Sequence, residues 1–366
     1  MKKNSAKRIY VGMSGGVDSS LSAALLVEQG YDVTGVYMKN WSRDLPGAIC
    51  PWAEDLADAK RVAVQLGIPF KVFDFEKDYK HLVVDYMIRE YEAGRTPNPD
   101  IMCNQEVKFG LFLRAALEDG ADMIATGHYA RTGLCLMKAE DSNKDQTYFL
   151  YRVTAEALSK TLFPIGHLTK PQVRKEAEKR GLLTAKRHDS QGICFVGNVG
   201  IREFLSQYVK TKPGDIIQKE TGKKLGRHDG AIFYTFGQRH NLGVGGGLPY
   251  YVVGKDMKKN EVYVSSNLNN DEFWRDKLTL TDTHWINEPP KPDKSYKVRL
   301  RHRAPLISCK LEVGSRKSSQ SHNLDSPIKS ANDVTVKLSK PERAIAPGQS
   351  AVIYDGEVVL GGGIIQ

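Results

Sequence analysis

Residues 12–20 read Gly-Met-Ser-Gly-Gly-Val-Asp-Ser-Ser and constrain this chain more than any other stretch of it. An apolar run, Arg8-Ile9-Tyr10-Val11, leads in, and leucines and alanines at helical spacing come after it over 21–29, an order that predicts strand, tight loop and helix. Gly15 and Gly16 let the backbone turn sharply and come close to a ligand. The hydroxyls of Ser14, Ser19 and Ser20 and the first N–H groups of the helix face the same point. Such a loop is an anion cradle suited to phosphate. The plain alternative is a glycine-serine turn that only joins a strand to a helix.

A Walker-type loop needs Gly-x-x-x-x-Gly-Lys-Ser/Thr, which occurs nowhere in the chain, so no lysine of that kind grips a terminal phosphate. The run resembles instead the Ser-Gly-Gly-x-Asp-Ser loop of the ATP pyrophosphatases, the PP-loop family. That resemblance implies an enzyme that splits ATP between the α and β phosphates, holds the pyrophosphate in the loop and transfers AMP to a carbonyl-type oxygen of its substrate.

At 366 residues the chain is too long for one ordinary core, and usual domain lengths suggest about two to three domains. In the first half, apolar strands at 33–38, 70–74 and 123–126 alternate with helical patterns at 55–66 and, later, 170–180. That alternation implies an α/β fold, a doubly wound parallel sheet with ligands at the carboxyl ends of its strands. The glycine loop, Met38 and Gly127 all fall at such ends. After about residue 200, turn signals multiply, Pro213-Gly214-Asp215 and Glu220-Thr221-Gly222-Lys223 among them, and the run 243–247 is too glycine-rich for a helix. A small, loop-rich middle domain is expected there. From 278 onward short alternating strands, such as 296–300, 334–338, 351–354 and 358–361, read as a compact β-barrel. The polar, serine-rich stretch 315–332 reads as a flexible hairpin loop within it. The expected division is 1–203 for the α/β nucleotide domain, 204–275 for the small central domain and 276–366 for the C-terminal barrel.

Net charge is +10, and it is unevenly spread: 144–239 holds 18 Lys and Arg against 9 Asp and Glu, 276–366 holds 14 against 10, and the remainder is slightly acidic. A basic middle and end are expected to lie along a polyanion, with a solvated basic face as the bland reading. No apolar run reaches the length of a membrane span, and the basic start runs straight into the first strand without a signal-peptide pattern. A cytoplasmic protein with no membrane partner is expected.

Five cysteines, at 50, 103, 135, 194 and 309, form no Cys-x-x-Cys pair. This argues against a zinc ribbon or a local iron-sulfur motif and for thiols in a reducing compartment. The histidines show no metal-ligand spacing, and no protein-held metal is expected. Cys103 closes Thr96-Pro97-Asn98-Pro99-Asp100-Ile101-Met102-Cys103 and precedes a helical pattern at 106–117. It is expected at or just before a helix start, where the dipole and Lys108 lower a thiol pKa. Asp100, three residues earlier, either works as a general acid or base beside the thiol or caps a helix. Cys194 lies in Asp189-Ser190-Gln191-Gly192-Ile193-Cys194-Phe195-Val196-Gly197, whose glycines suit a loop that moves its cysteine. Each cysteine alone is equally a buried small hydrophobe. Beside an adenylating loop the pair suggests sulfur chemistry: an adenylate is a good leaving group, one thiol is the nucleophile, and the other carries sulfur as a persulfide.

The loop at Gly12, Asn98-Pro99-Asp100-x-x-Cys103-Asn104, Ala125-Thr126-Gly127-His128-Tyr129, Lys144-Asp145-Gln146-Thr147-Tyr148-Phe149-Leu150, Ser190-Gln191-Gly192-Ile193-Cys194-Phe195 and the region 226–254 together resemble the bacterial tRNA-specific 2-thiouridylases over nearly the whole chain. The resemblance implies a PP-loop domain of the adenine nucleotide alpha hydrolase-like kind, a small central domain and a C-terminal β-barrel. It implies conversion of the 2-carbonyl of the wobble uridine of tRNA to a thiocarbonyl, using ATP with Mg2+ and persulfide sulfur. On the same ground Gly12, Met13, Ser14, Gly15, Gly16, Val17, Asp18 and Ser19 hold the phosphates, and Met38 and Gly127 lie against the adenosine. Asn98, Pro99 and Asp100 meet the target base, with Asp100 as acid or base. Cys103 is the nucleophile and Cys194 the persulfide carrier, the two closing to a disulfide after sulfur release. Lys144, Asp145, Gln146, Arg301 and His302 touch tRNA. The family more often has Arg-Tyr at the last pair, and His302 keeps a flat ring for stacking. A sulfur donor protein, either a cysteine desulfurase or a relay, and a monomeric state are also implied, and Cys50, Cys135 and Cys309 are left as structural.

Two rival readings differ in what they need. A PP-loop ligase or amidotransferase acting on a small molecule would gain nothing from two cysteines or a basic middle. A non-catalytic RNA-binding protein that uses ATP only to set its shape would release no pyrophosphate.

Overall fold

Parallel strands covered on both faces read as unbroken apolar runs, and β1 (Arg8–Gly12) is such a strand, buried from Ile9 to Gly12. In chain order it is followed by β2 (Asp32–Lys39), β3 (Phe70–Asp74), β4 (Met123–Thr126), the two-residue strands β5 (Arg131–Thr132) and β6 (Leu136–Met137), and β7 (Thr161–Leu162). The computed structural model describes residues 6–44, 50–187, 200–245, 249–267, 273–313 and 333–366. They divide into two units, one of 1–85, 99–204 and 357–359, the other of 86–98, 205–356 and 360–366.

The sheet of the first unit has the order β3-β2-β1-β4-β7, and its pairings are parallel. Ile9 and Val11 have no exposed surface, and burying each stabilises the fold by about 1.5–3 kcal/mol. Strand order reverses between β1 and β4, which opens a crevice at their carboxyl ends. The glycine loop leaves one of those ends and Gly127 the other, so the expected doubly wound sheet is present and places both at the switch point.

Two helix starts differ from expectation. Helix α1 (Val17–Glu28) begins four residues before Leu21, because Gly16 takes an extended N-cap conformation and Ser19 and Ser20 already lie in the first turns. Serines mark no hydrophobic period, yet here they are buried: Ser20 Oγ donates to Gly16 O at 2.8 Å and Ser22 Oγ to Asp18 O at 2.8 Å, satisfying themselves within the helix. The second is the helix of the cysteine string. It begins at Pro99, running as α-helix over Pro99–Met102, as π-helix over Cys103–Leu111 and as α-helix again over Phe112–Glu118. Proline fits the first helical position, where its missing N–H costs nothing, so Pro99 starts the helix rather than stiffening the approach to it. Cys103 therefore stands one turn inside and not at the start.

In the second unit β8 (Gly214–Gln218), β9 (Lys224–His228), β10 (Tyr251–Asp256) and β11 (Glu261–Ser265) form a sheet of order β10-β11-β8-β9. Its core gathers Ile216, Val252, Val262 and Val264 under Tyr234 and Leu242. The middle segment is thus β-structured between its turns, where the glycine and lysine turns alone predicted loops. The strands β12 (Trp274–Trp285), β13 (Ser295–Arg299), β14 (Ile307–Val313), β15 (Val334–Arg343), β16 (Ser350–Asp355) and β17 (Val358–Ile365) come next, in the order β12-β15-β14-β13-β16-β17, and β12 pairs with β17 to close the ring. Every second residue points inward: Leu278 and Leu280, Tyr296 and Val298, Ile307, Cys309 and Leu311, Val334, Val336 and Leu338. Burial pushes the Cys309 thiol up to about 12. The stretch expected as a hairpin loop, 315–332, lies outside the described residues. No described helix is long and apolar enough to cross a membrane.

Candidate active site

Past Gly12 the ladder continues for one bond, from Met13 N to Val36 O at 2.8 Å, and then the chain turns. Gly15 has φ +75°, and a Cβ there would lie 2.5 Å from the carbonyl oxygen of Asp55, at the start of helix α2 (Trp52–Leu66). Glycine is required on both counts. Ser14 is exposed, its N–H donating to Ser19 Oγ at 3.2 Å, and Ser19 Oγ donates to Gly16 O at 3.1 Å. No side chain caps α1, so its first N–H groups remain for an anion. This cradle fits the triphosphate implied by the loop.

Asp18, in the first turn, accepts from Lys170 Nζ at 2.8 and 2.9 Å and from Tyr129 OH at 2.8 Å. Lys170 is 8% exposed and also lies 5.8 Å from the centre of the Tyr129 ring. Losing Asp18 is costly, because the buried Lys170 would lose its partner without regaining water. Lys170 opens the helix Lys170–Lys179, whose start is fixed by Thr169 N donating to Gln172 Oε1 at 2.7 Å. Arg187 forms a second clamp: Nη2 donates to Asp55 Oδ1 at 2.6 Å, Nη1 bonds Asp58 and reaches Gly15 O at 3.3 Å. Burial raises the Asp55 pKa and Arg187 opposes that rise. Sequence reasoning does not single out Lys170, Tyr129 or Arg187. The nearest signals are Thr169-Lys170-Pro171 at a helix start and Tyr129 next to Gly127-His128.

Gly127 ends β4 against this turn: a Cβ there would lie 2.6 Å from Ser19 N and 2.7 Å from the Asp18 carbonyl carbon. Met38, half-buried at the end of β2, reaches the β1 end, its Cε 2.9 Å from where a Gly12 Cβ would be. Gly127→Ala is expected to weaken ATP binding about tenfold, since overpacking against fixed backbone costs about 1–3 kcal/mol. Calorimetric titration with ATP checks this, and an unchanged affinity would contradict the close approach. His128 is buried between Phe109 and Phe163, with Nδ1 2.8 Å from Thr126 Oγ1. Burial, aided by the Lys108 charge, holds its pKa well below the ordinary value, so the ring is neutral at pH 7.

Cys103 is 1% exposed, and Asp100 is half-buried one turn earlier, on the same helix face by its i, i+3 spacing. Asn104 is buried, its Nδ2 donating to Phe149 O at 3.1 Å, and Gln105 bonds Arg152. The cysteine helix is thereby tied to the segment after Lys144. Within that segment Asp145 is 2% exposed and accepts from Thr147 Oγ1 at 2.8 Å. Gln146 exchanges bonds with Tyr129, Oε1 accepting from Tyr129 N at 2.9 Å and Gln146 N donating to Tyr129 O at 2.9 Å. Lys144 is half-buried. In the second unit Asn98 is half-buried, and Arg301 and His302 occupy the turn after β13, where Arg301 Nη2 donates to the carbonyls of Arg343 at 2.8 Å and Ala344 at 2.5 Å. Cys194 and its string lie outside the described residues. Cys50, Cys103, Cys135 and Cys309 are thiols rather than disulfides. Among the described residues no three His, Cys, Asp or Glu side chains cluster as metal ligands.

Comparison with known proteins accounts for all these parts at once. Residues 7–198 match the family model described as the tRNA methyl transferase HUP domain, 202–266 the tRNA methyl transferase PRC-barrel domain, and 275–322 and 311–365 the aminomethyltransferase beta-barrel domain. The tRNA-specific 2-thiouridylase MnmA of Streptococcus sanguinis is 45% identical over 377 residues, covering 100% of this chain and 96% of that protein. That of Oceanobacillus iheyensis is 46% identical over 372 residues, with the same coverage. Among solved structures, a 4-thiouridine synthetase–RNA complex with bound ATP is 16% identical, with TM-score 0.37, covering 56% of this chain and 50% of that one. Full-length identity of 45% and 46% leaves no part of the chain outside the match: the chain belongs to the tRNA-specific 2-thiouridylase family.

Proposed function

We infer that this protein is an ATP-dependent tRNA-uridine 2-sulfurtransferase, replacing the 2-oxygen of a tRNA uridine with sulfur. The observation that carries this reading is the uncapped phosphate loop at the sheet's switch point, with Asp18 held by Lys170, in a chain that aligns end to end with 2-thiouridylases. ATP supplies the adenylyl group that turns the carbonyl oxygen into a leaving group. The chain's part is to hold and orient: the backbone of 13–16 and the first turn of α1 take the phosphates, Gly127 lets the loop close against β4, and Met38 offers an apolar flank for the adenosine. Mg2+ would enter with the phosphates and would be held by Asp18.

The finer assignments rest on the family resemblance. Cys194 carries the persulfide sulfur delivered by a donor protein, and Cys103 is the nucleophile that closes a disulfide with Cys194 when sulfur is released. Asn98, Pro99 and Asp100 meet the target base, with Asp100 moving the proton. Lys144, Arg301 and His302 meet the tRNA. Asp145 and Gln146 meet the tRNA beside Lys144. The protein works as a cytoplasmic monomer divided at 203 and 275.

Incubation with ATP, a persulfide donor and bulk tRNA is expected to yield AMP, pyrophosphate and 2-thiouridine, the last detected by mass spectrometry of digested nucleosides. Release of ADP and orthophosphate would overturn the reading. Affinity for tRNA should fall about tenfold or more between 50 and 200 mM salt through counterion release, and a flat profile would remove the basic surface from the account.

A further inference from the structure

In the second unit the chain over 94–96 is held by more bonds than a connecting segment needs. Thr96 N donates to Pro347 O at 2.9 Å, Thr96 O accepts from Gln349 Nε2 at 2.7 Å, and Thr96 Oγ1 donates to Thr235 Oγ1 at 3.2 Å. Each polar group of the residue is used. Its surroundings leave little slack. Arg95 forks onto Glu90 at 2.5 and 2.6 Å, and Gly348 has φ +88° with its Cβ position 2.7 Å from Thr96 N. On the other side Thr235 N donates to Gln238 Oε1 at 3.1 Å, and the preceding carbonyl, that of Tyr234, accepts from the half-buried Lys255 Nζ at 2.8 Å.

Thr96 leads directly into Pro97-Asn98-Pro99. Both prolines have φ fixed near −65°, and the residue before each is confined to extended conformations. Pro97 and Asn98 make a short strut with few open torsions, running from the clamp up to Pro99, the first helical residue. We propose that Thr96 is a positioning residue for sulfur transfer: its clamp, carried through Pro97, aims Asn98 at the target base. This rests on the sulfurtransferase reading, which assigns Asn98 to the base. The hydroxyl is the informative group, because the backbone bonds would hold the segment with any side chain.

The test uses the full-length protein in single-turnover thiolation at saturating tRNA. Thr96→Val, which keeps shape and loses the hydroxyl, is expected to slow the reaction about five- to tenfold, with tRNA affinity within about twofold of wild type and the thermal midpoint unchanged. Thr96→Ser should restore the rate. Thr235→Val should match Thr96→Val, and the double variant should be no slower than either single, since both remove one bond. A Thr96→Val rate within twofold of wild type, or a rate loss matched by lost tRNA affinity or stability, overturns the positioning role. Wild-type protein that forms no 2-thiouridine overturns the sulfurtransferase reading, and this inference with it.

Discussion

Asp18→Asn is expected to cut tRNA-dependent pyrophosphate release by about a hundredfold or more, with Lys170→Met close behind. The two side chains act as one device. The carboxylate sits in the first turn of α1, where the helix dipole favours it, yet the phosphates must come to the same turn and would be repelled by a bare negative charge. Lys170 Nζ, 2.8 and 2.9 Å from the two carboxylate oxygens, cancels that charge while keeping the carboxylate oriented. Removing Asp18 strands a lysine that is 8% exposed. Removing Lys170 leaves the carboxylate facing the phosphates. Each change should also cost about 2 kcal/mol of stability, the scale for a partly dry pair losing one member. Because the defect is the unmatched charge, the double variant should be no worse than either single, a non-additive result. Measuring AMP and pyrophosphate release across the four proteins decides the matter. Strictly multiplicative losses would mean that the residues act separately.

The loop is legible in the sequence because its chemistry is local: glycines, small hydroxyls and a helix start within nine residues need no tertiary information. Strands β1, β2 and β4 are legible for a similar reason, since burial on both faces leaves mostly apolar runs, whereas the edge strand β3 is legible only by its Phe and Val residues. Strand β7 is not, being two residues long and made into a strand only by pairing with β4. The start of α1 is hidden because buried serines carry no hydrophobic period, and the start of the cysteine helix because proline reads as a breaker although Pro99 stands at the first helical position. Within the site, the omissions share one cause. Lys170 lies 152 positions from Asp18 and Arg187 lies 132 from Asp55, so nothing near either basic residue announces its partner. The sheet brings them together, and that step belongs to the fold.

Serine at either Cys103 or Cys194 is expected to stop 2-thiouridine formation altogether while sparing pyrophosphate release, since activation of the uridine precedes attack by sulfur. The two variants should then part. After incubation with a persulfide donor, labelled sulfur should remain on Cys103→Ser protein and be absent from Cys194→Ser protein, because Cys194 is the proposed carrier. Wild-type protein without reductant should form the Cys103–Cys194 disulfide and halt after one round. The burial of Cys103, 1% exposed and one turn inside its helix, adds a requirement. A disulfide needs Cα atoms within about 7 Å, and its partner thiol here is one that solvent scarcely reaches. An added alkylating reagent should therefore modify resting Cys103 about tenfold more slowly than the half-buried Cys135, in line with the dependence of thiol reactivity on access. Labelled sulfur found on Cys103 would reverse the two roles. If both serine variants still thiolate tRNA, sulfur reaches the uridine without either cysteine, and the two-thiol chemistry is wrong.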